Sequence, residues 1–395
     1  MGPTAALLCL AAVVLAAPAR ASEACNSLEL TLSNGLVLPR VGLGTAGRMT
    51  AATVKVALAA GVRLFDTAQA YEWYDEKAVA NALAASGLRR SEYVVVTKVH
   101  PRDHGFSRFS QKVLESAHLF GGYVDVVLQH YPRCWDGLCG PGWEKRVEGD
   151  FRDSWKALEE AYANGTAKAI GVSNFDVRDL ESLLAGAVIV PHVHQGWMDP
   201  FHQDREMRQA CADRGIAYMS YSTLGTQWSN RAAGPNPVLN SPVISAAAGA
   251  FGPAAAALSW ALQRGAVVMP RSFSPAHVRS NADLFAEGAL RLCLAEDALA
   301  AIDALDGTLE SRFEARPAVV QATFSTDVSA ALFWVDATAE ILVAALRPGE
   351  DVGMQTSQGH TFVARVADGN ALQTFVVTAR PGAAQAFHVE FQPEL

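Results

Sequence analysis

From Leu28 to about Ser280 short apolar runs alternate with longer stretches of helical spacing, each separated from the next by a polar turn. The strand-like runs are Arg40 to Gly44, Val62 to Asp66, Tyr93 to Lys98, Val124 to His130, Lys168 to Ser173, His192 to Gly196, Ile216 to Tyr221 and Ala266 to Pro270. Helical spacing is carried by segments such as Asp75 to Ala85, Phe151 to Ala163, Arg205 to Arg214 and Ala254 to Arg264. Alternation of this kind predicts parallel βαβ units, and eight of them in roughly 250 residues is the scale of an α/β (β/α)8 TIM barrel. Ahead of the first unit, Leu28 to Leu32 and Leu36 to Pro39 flank Ser33-Asn34-Gly35, which predicts a β-hairpin plugging the barrel's bottom.

After Gly307 helical spacing gives way to short strand-like runs at Val320 to Ser325, Ala331 to Val335, Thr361 to Val366, Leu372 to Thr378 and Phe387 to Phe391. Strands without helices predict a small all-β sandwich. The organisation expected is a leader over 1–21, a barrel over 22–310, a linker over 311–319 and a β-sandwich over 320–395.

Composition narrows the function classes. Half of the 395 residues are hydrophobic and 18% charged, a balance that excludes a disordered chain, and a net charge of −8 removes any general attraction to nucleic acid. Leu7 to Ala17 is a nearly unbroken apolar run followed by Ala19-Arg20-Ala21, which reads as a signal peptide and directs the chain to the secretory pathway, secreted or lumenal. The run is shorter than the roughly 20 residues a membrane span needs, so stable membrane insertion is not expected. Removal of the leader takes away Cys9 and leaves Cys25, Cys134, Cys139, Cys211 and Cys293, an odd number, so one thiol stays unpaired within the chain. Cys134 and Cys139 flank a Gly-containing loop that an oxidising lumen allows to close. No metal site is expected, because no second Cys/His pair lies nearby at ligand spacing. Asn164-Gly165-Thr166 is an acceptor sequon for an exported chain.

A barrel of this kind builds its site at the C-terminal ends of its strands. Strand two ends in Asp66, with Tyr71 in the loop beyond; strand three ends in Lys98 and strand four in His130. Strand five ends in Ser173-Asn174, strand six carries Gln195, strand seven ends in Tyr221, and Arg271 and Ser272 follow strand eight. A tyrosine beside a lysine ammonium has its phenolate favoured and becomes a usable acid, while Asp66 would hold Lys98 protonated. His130 would donate to a carbonyl oxygen. Protonating an oxyanion as it forms is what reduction of an aldehyde or ketone by a hydride donor requires. Singly, each residue also reads as a rim ion pair, a cap or a core side chain; their conjunction in strand order carries the chemistry. Lys98 as a Schiff-base nucleophile is disfavoured, since Asp66 opposes loss of its proton.

Over about Leu28 to Leu305 the chain resembles the aldo-keto reductases. The resemblance rests on Gly61-Val-Arg-Leu-Phe-Asp66-Thr-Ala-Gln-Ala-Tyr71, Val96-Thr-Lys98, Leu128-Gln-His130-Tyr-Pro132, Gly171-Val-Ser-Asn-Phe175, Tyr221-Ser-Thr-Leu-Gly225 and Met269-Pro-Arg-Ser272, in the family's order and spacing. It implies a catalytic tetrad of Asp66, Tyr71, Lys98 and His130. It assigns Ser173, Asn174 and Gln195 to the nicotinamide carboxamide, Tyr221 to stacking on that ring, and Arg271, Ser272, Ser274 and Asn281 to the adenosine 2′-phosphate and adenine of NADPH. Arg271 stands where the family usually has Lys, which keeps the charge and adds bidentate reach. His277 and Ser280 replace the usual Arg and Glu, and Ala46 a frequent Trp. Tyr131 is then the candidate substrate-binding aromatic, and Arg133 to Asp150 the lid. The implied activity is that of an NADP-dependent oxidoreductase reducing a small carbonyl substrate to the alcohol.

The C-terminal segment, over about Val320 to Thr378, resembles the β-domain of the von Hippel–Lindau tumour suppressor through Ala331-Leu-Phe-Trp334-Val-Asp336, Leu346-Arg-Pro-Gly-Glu350 and Gln355-Thr-Ser-Gln-Gly-His360-Thr-Phe-Val363. That resemblance implies a protein or peptide partner, with Thr356 and His360 matching positions of a hydroxyproline pocket and Ser357, Phe362 and Val343 departing from it. The rival reading makes Trp334 and Phe362 core and His360 a structural hydrogen bonder. From another function class, the alternative is a non-catalytic barrel that scaffolds a partner-binding β-domain.

Overall fold

A computed structural model describes residues 25–47, 49–140, 142–229, 235–286, 289–309, 320–326, 329–335, 340–349, 351–356, 361–365, 371–376 and 384–389. The leader over 1–21 and the linker over 311–319 lie outside these residues. The chain divides into two compact units, the first ending at Thr308.

In the first unit, β1 (Glu29–Thr31) and β2 (Val37–Pro39) form an antiparallel hairpin. Eight parallel strands follow: β3 (Leu43–Gly44), β4 (Leu64–Asp66), β5 (Val94–Val99), β6 (Val124–Gln129), β7 (Ala167–Ser173), β8 (Val193–Trp197), β9 (Ala217–Tyr221) and β10 (Val267–Val268). Each strand pairs with the next, and the sheet closes on itself through the parallel bridge Val41 to Val268, with Gly42 N donating to Val268 O and Val268 N to Arg40 O, each at 2.9 Å. The apolar runs of the sequence are these strands. Their inward side chains, among them Leu64, Val96, Val126, Leu128, Ala169 and Val193, fill the interior together with Leu32 and Leu38 of the hairpin region. Only glycine fits at position 171, where a Cβ would lie 2.1 Å from Val193 O.

The helices lie outside, and a second core of residues such as Val95, Val127, Phe109, Trp155 and Leu158 joins them to the sheet. Two of their starts are set by carboxylates: Asp75 caps Glu76–Ala84 by accepting from Ala78 N at 2.9 Å, and Asp150 with Asp153 forms a capping box on Phe151–Ala163. A disulfide joins Cys25 to Cys293, a second joins Cys134 to Cys139, and Cys211 is a buried free thiol. Two short strands, β11 (Phe285–Ala286) and β12 (Ala289–Leu290), pair near Cys293. No single helix among the described residues is long and apolar enough to cross a membrane.

The second unit contains two small sheets. β13 (Val320–Thr326) lies between β16 (Val352–Thr356) and β19 (Ala384–Val389), while β14 (Ala330–Val335), β15 (Glu340–Leu346), β17 (Thr361–Arg365) and β18 (Ala371–Val376) run in the order β15-β14-β17-β18. The Phe324 ring of the first sheet meets Phe362 of the second at 5.1 Å and Phe387 of its own at 5.0 Å, so both sheets share one apolar core. Phe362 is core, 2% exposed. Strands β15 and β16 were not among the runs read from the sequence. Ser357 and His360 lie outside the described residues, as does the side chain of Thr356.

Candidate active site

Parallel pairing brings the C-terminal ends of neighbouring strands to one rim, so residues far apart in sequence converge there. Lys98, at the end of β5 and 1% exposed, donates from Nζ to Asp66 Oδ1 at 2.7 Å and to Thr67 O at 3.0 Å. Gln195 of β8 donates from Nε2 to the same Asp66 oxygen at 2.8 Å. A buried ion pair is tolerated when further hydrogen bonds support it, and Asp66 has that support. His130, 5% exposed, follows β6 directly. Burial first, then Lys98, the neighbouring His100 and Arg102, hold its imidazole well below the usual range, so it is neutral, and its Nδ1 has no hydrogen-bond partner among the described residues.

The tyrosine beside this group is not the one the motif spacing selects. Tyr71 is 68% exposed; its hydroxyl accepts from Arg102 Nη1 at 2.9 Å, and the guanidinium carbon lies 4.7 Å from its ring centre. Tyr74 takes the inner place, with Lys98 Nζ 5.2 Å from its ring centre and the His130 ring 6.1 Å away. The loop decides this. Trp73 N and Tyr74 N both donate to Ala70 O, tightening the chain into a turn, and Asp75 then caps the next helix. Glu76, the first residue of that helix, hydrogen-bonds Thr97 of β5 and Ser116, which pins the helix start against the barrel. The residue immediately ahead of the cap therefore meets the strand ends, and Tyr71 is left outside.

With Lys98 beside it, the resting phenol is nevertheless not ionised. Burial and the Asp66 charge push the Tyr74 phenol well above its ordinary value, Arg271 only partly offsetting them, so it carries its proton throughout the physiological range.

The remaining positions divide into two groups. Ser173, Asn174 and Tyr221 are linked: the Tyr221 hydroxyl donates to Asn174 Oδ1 at 2.6 Å, and Asn174 Nδ2 donates to Ser173 Oγ at 3.0 Å and to the carbonyl of His130 at 2.8 Å. With Gln195 they adjoin the Asp66, Lys98, Tyr74 and His130 cluster. Arg271, Ser272 and Ser274 lie past β10 at the start of the helix Pro275–Ala282, where Ser274 Oγ accepts from His277 N and Ser272 Oγ from Ser274 N. Arg271 lies over the Phe273 ring at 5.3 Å and meets no carboxylate among the described residues. An unneutralised guanidinium at a helix N-terminus is a place for an anionic group. Asn281 sits in the last turn of the same helix.

Tyr131 stacks on His130 with centroids 4.8 Å apart, and burial pushes its phenol up to about 12. Trp135, beyond it, meets Tyr131 edge-on at 5.4 Å. Trp73 and His100 also stand edge-on or tilted to one another and to His130, at 6.2 to 6.4 Å. Trp73, Tyr74, His100, Arg102 and Trp135 were not among the sequence candidates. The signal available for Tyr74 was Asp75, whose capping role marks the helix start and makes its neighbour the last loop residue. Among the described residues no group of three His, Cys, Asp or Glu is arranged to hold a metal ion.

A parallel eight-stranded barrel thus gathers a lysine-carboxylate pair, a neutral histidine and a protonated tyrosine at one rim. Residues 41–306 match the aldo/keto reductase family, and the chain belongs to it. An aldo-keto reductase of Mycolicibacterium vanbaalenii is 34% identical over 282 residues, 70% of this chain and 91% of that protein. The morphine 6-dehydrogenase of Pseudomonas putida is 31% identical over 288 residues, 70% of this chain and 90% of the relative. Among solved structures, the Bombyx mori aldo-keto reductase in complex with NADP is 27% identical, with a TM-score of 0.63 over 71% of this chain and 94% of that one.

Proposed function

We propose that this protein is an NADPH-dependent reductase of aldehydes and ketones, with Tyr74 in place of Tyr71 as the proton donor. The observation that carries the reading is the convergence of a protonated Tyr74 and a neutral His130 on the buried Lys98 to Asp66 pair. The residues fit the dinucleotide: Arg271, with no carboxylate partner among the described residues, offers a charge for the 2′-phosphate, Ser272 and Ser274 follow it at the helix start, Asn281 in the last turn of that helix is assigned to the adenine by the family resemblance, and Ser173, Asn174, Gln195 and Tyr221 present amides and hydroxyls beside the reacting group. When bound, NADPH supplies the hydride. His130 orients the carbonyl oxygen through a ring N–H, Tyr74 transfers its phenolic proton to that oxygen, and Lys98, hydrogen-bonded to Asp66, stabilises the phenolate left behind.

Replacing Tyr74 by Phe is expected to lower turnover of an aldehyde at least about 10²-fold while leaving NADPH affinity within a few fold, and Tyr71→Phe to keep turnover near wild type. The opposite pattern would return the role to Tyr71. A scaffold without activity has less support, because every partner the proton transfer needs is assembled at one rim.

The reading extends to location and partner. Two disulfides, Cys25 to Cys293 and Cys134 to Cys139, support an exported chain with residues 1–21 as its signal peptide. The second unit is the candidate partner-binding module, similar to the von Hippel–Lindau β-domain; retention of hydroxyproline-containing over unmodified proline peptides tests it, and equal or no retention leaves a structural module.

A further inference from the structure

The chain reverses sharply where the helix Phe151–Ala163 hands over to β7. Asn164 ends the helix, its backbone N–H donating to Glu160 O at 3.0 Å; Gly165 turns the chain at φ +80°, and Thr166 O accepts from Val124 N of β6 at 2.9 Å. A positive φ favours glycine at the middle position. The turn therefore reads Asn164-Gly165-Thr166, the one Asn-X-Ser/Thr triplet with X other than Pro in the 395 residues. Asn164 is exposed, and its Oδ1 accepts from Thr166 N at 3.0 Å, which fixes the side-chain amide at one end. The other end, Nδ2, makes no hydrogen bond among the described residues. A Cβ added at Gly165 would meet nothing within 4 Å, so the space around the turn is open.

The triplet also lies as far from the reacting group as β7 allows. Thr166 immediately precedes β7 and Ser173 is its last residue, and seven residues of strand span about 23 Å. Asn34, in the turn between β1 and β2, donates from Nδ2 to Lys168 O at 2.8 Å, so Asn164-Gly165-Thr166 shares its end of the barrel with that hairpin. A parallel barrel keeps its chemistry at the C-terminal ends of its strands, which leaves this end free to carry another group.

We propose that Asn164 carries an N-linked oligosaccharide. The inference rests on residues 1–21 being a signal peptide, because the modification belongs to the secretory lumen. There a transferase joins Asn164 Nδ2 to the anomeric carbon of a sugar carried on a polyprenyl diphosphate. The C–N bond forms as the C–O bond to phosphate breaks, Nδ2 gives up one proton, and the lipid diphosphate leaves. The chain is modified as it enters the lumen, so what the fold must supply afterwards is room. An acceptor with Nδ2 bonded inside the protein, or with its turn packed over, would obstruct folding once modified. The Asn164 turn has neither obstacle, and it places a bulky, solubilising group away from the reaction centre.

The test produces the full chain in a secreting animal cell line as wild type, Asn164→Gln, Thr166→Ala and Thr166→Ser. It reads gel mobility before and after peptide N-glycosidase, together with the mass of the peptide that contains residue 164. Wild type and Thr166→Ser, which keeps the hydroxyl of the triplet, are expected in the medium or the microsomal lumen with one glycan that the glycosidase removes. Asn164→Gln and Thr166→Ala are expected to migrate as the glycosidase-treated wild type does. Should either variant fail to fold, digestion and peptide mass of the wild type decide the matter alone. Wild type recovered from the medium or lumen without a glycan overturns the modification and leaves the export reading standing, and wild type retained in the cytosol overturns both.

Discussion

The side-chain amide of Gln195 donates to Asp66 Oδ1 at 2.8 Å across 129 positions of sequence. That oxygen also takes the ammonium of Lys98, so Gln195 helps to keep a buried carboxylate satisfied. Asp66→Asn keeps the shape and removes the charge, leaving a lysine 1% exposed without a counter-ion. It is expected to cost about 3–5 kcal/mol of stability. Gln195→Leu, which removes one donor, should cost about 1 kcal/mol. Denaturant unfolding of the two variants measures the difference, and equal losses would show that the ion pair is not the larger element.

Arg271 has no carboxylate partner among the described residues, so its removal costs little internally and its effect should appear on the ligand. Arg271→Ala is expected to weaken NADPH by tenfold or more in fluorescence titrations, as loss of a charge-assisted contact would, and NADH by less than threefold. Equal weakening would assign Arg271 a general structural role.

Buried neutral histidines set the acid limb of stability. Burial is the largest cause at both His100, held down to about 3, and His104, held down to about 4. In the unfolded chain each takes up a proton near 6.5, so the unfolded state binds more protons between that pH and the folded values. Their stabilisation is fully present above pH 6.5 and is lost as pH falls towards 3 to 4, by up to about 1.4 kcal/mol per pH unit for each group. Thermal melts from pH 7.5 to 4 should show this slope, and His104→Gln should flatten it.

The Cys25 to Cys293 bridge joins residues 268 positions apart in sequence. Cys25→Ser/Cys293→Ser is expected to lower stability by about 2–5 kcal/mol. Aldehyde KM should remain within twofold of wild type, and a larger change in KM would place the bridge in the substrate site's support.

The barrel and its rim were legible because they follow from local periodicity. Tyr93 to Lys98 or Val124 to His130 reads as a strand on its own, and topology then carries Asp66, Lys98, His130, Ser173 and Gln195 to one rim with no further information. In the second unit the aromatic-rich runs were legible, whereas Glu340–Leu346 and Val352–Thr356 were missed, the one Ala-rich and charged at its start, the other broken by Gly353 and polar at its end. The pairing of Cys25 with Cys293 could not be read, since any of several partners satisfies the count. The choice between Tyr71 and Tyr74 is decided by tertiary structure, the Asp75 cap marking in sequence only where the helix begins. Spacing from Asp66 favours the first, but Glu76 reaching Thr97 and Ser116, 21 and 40 positions away, fixes where the helix begins and turns the second inward. A loop side chain is placed by what anchors the loop's two ends, and those anchors are long-range contacts that no local pattern records.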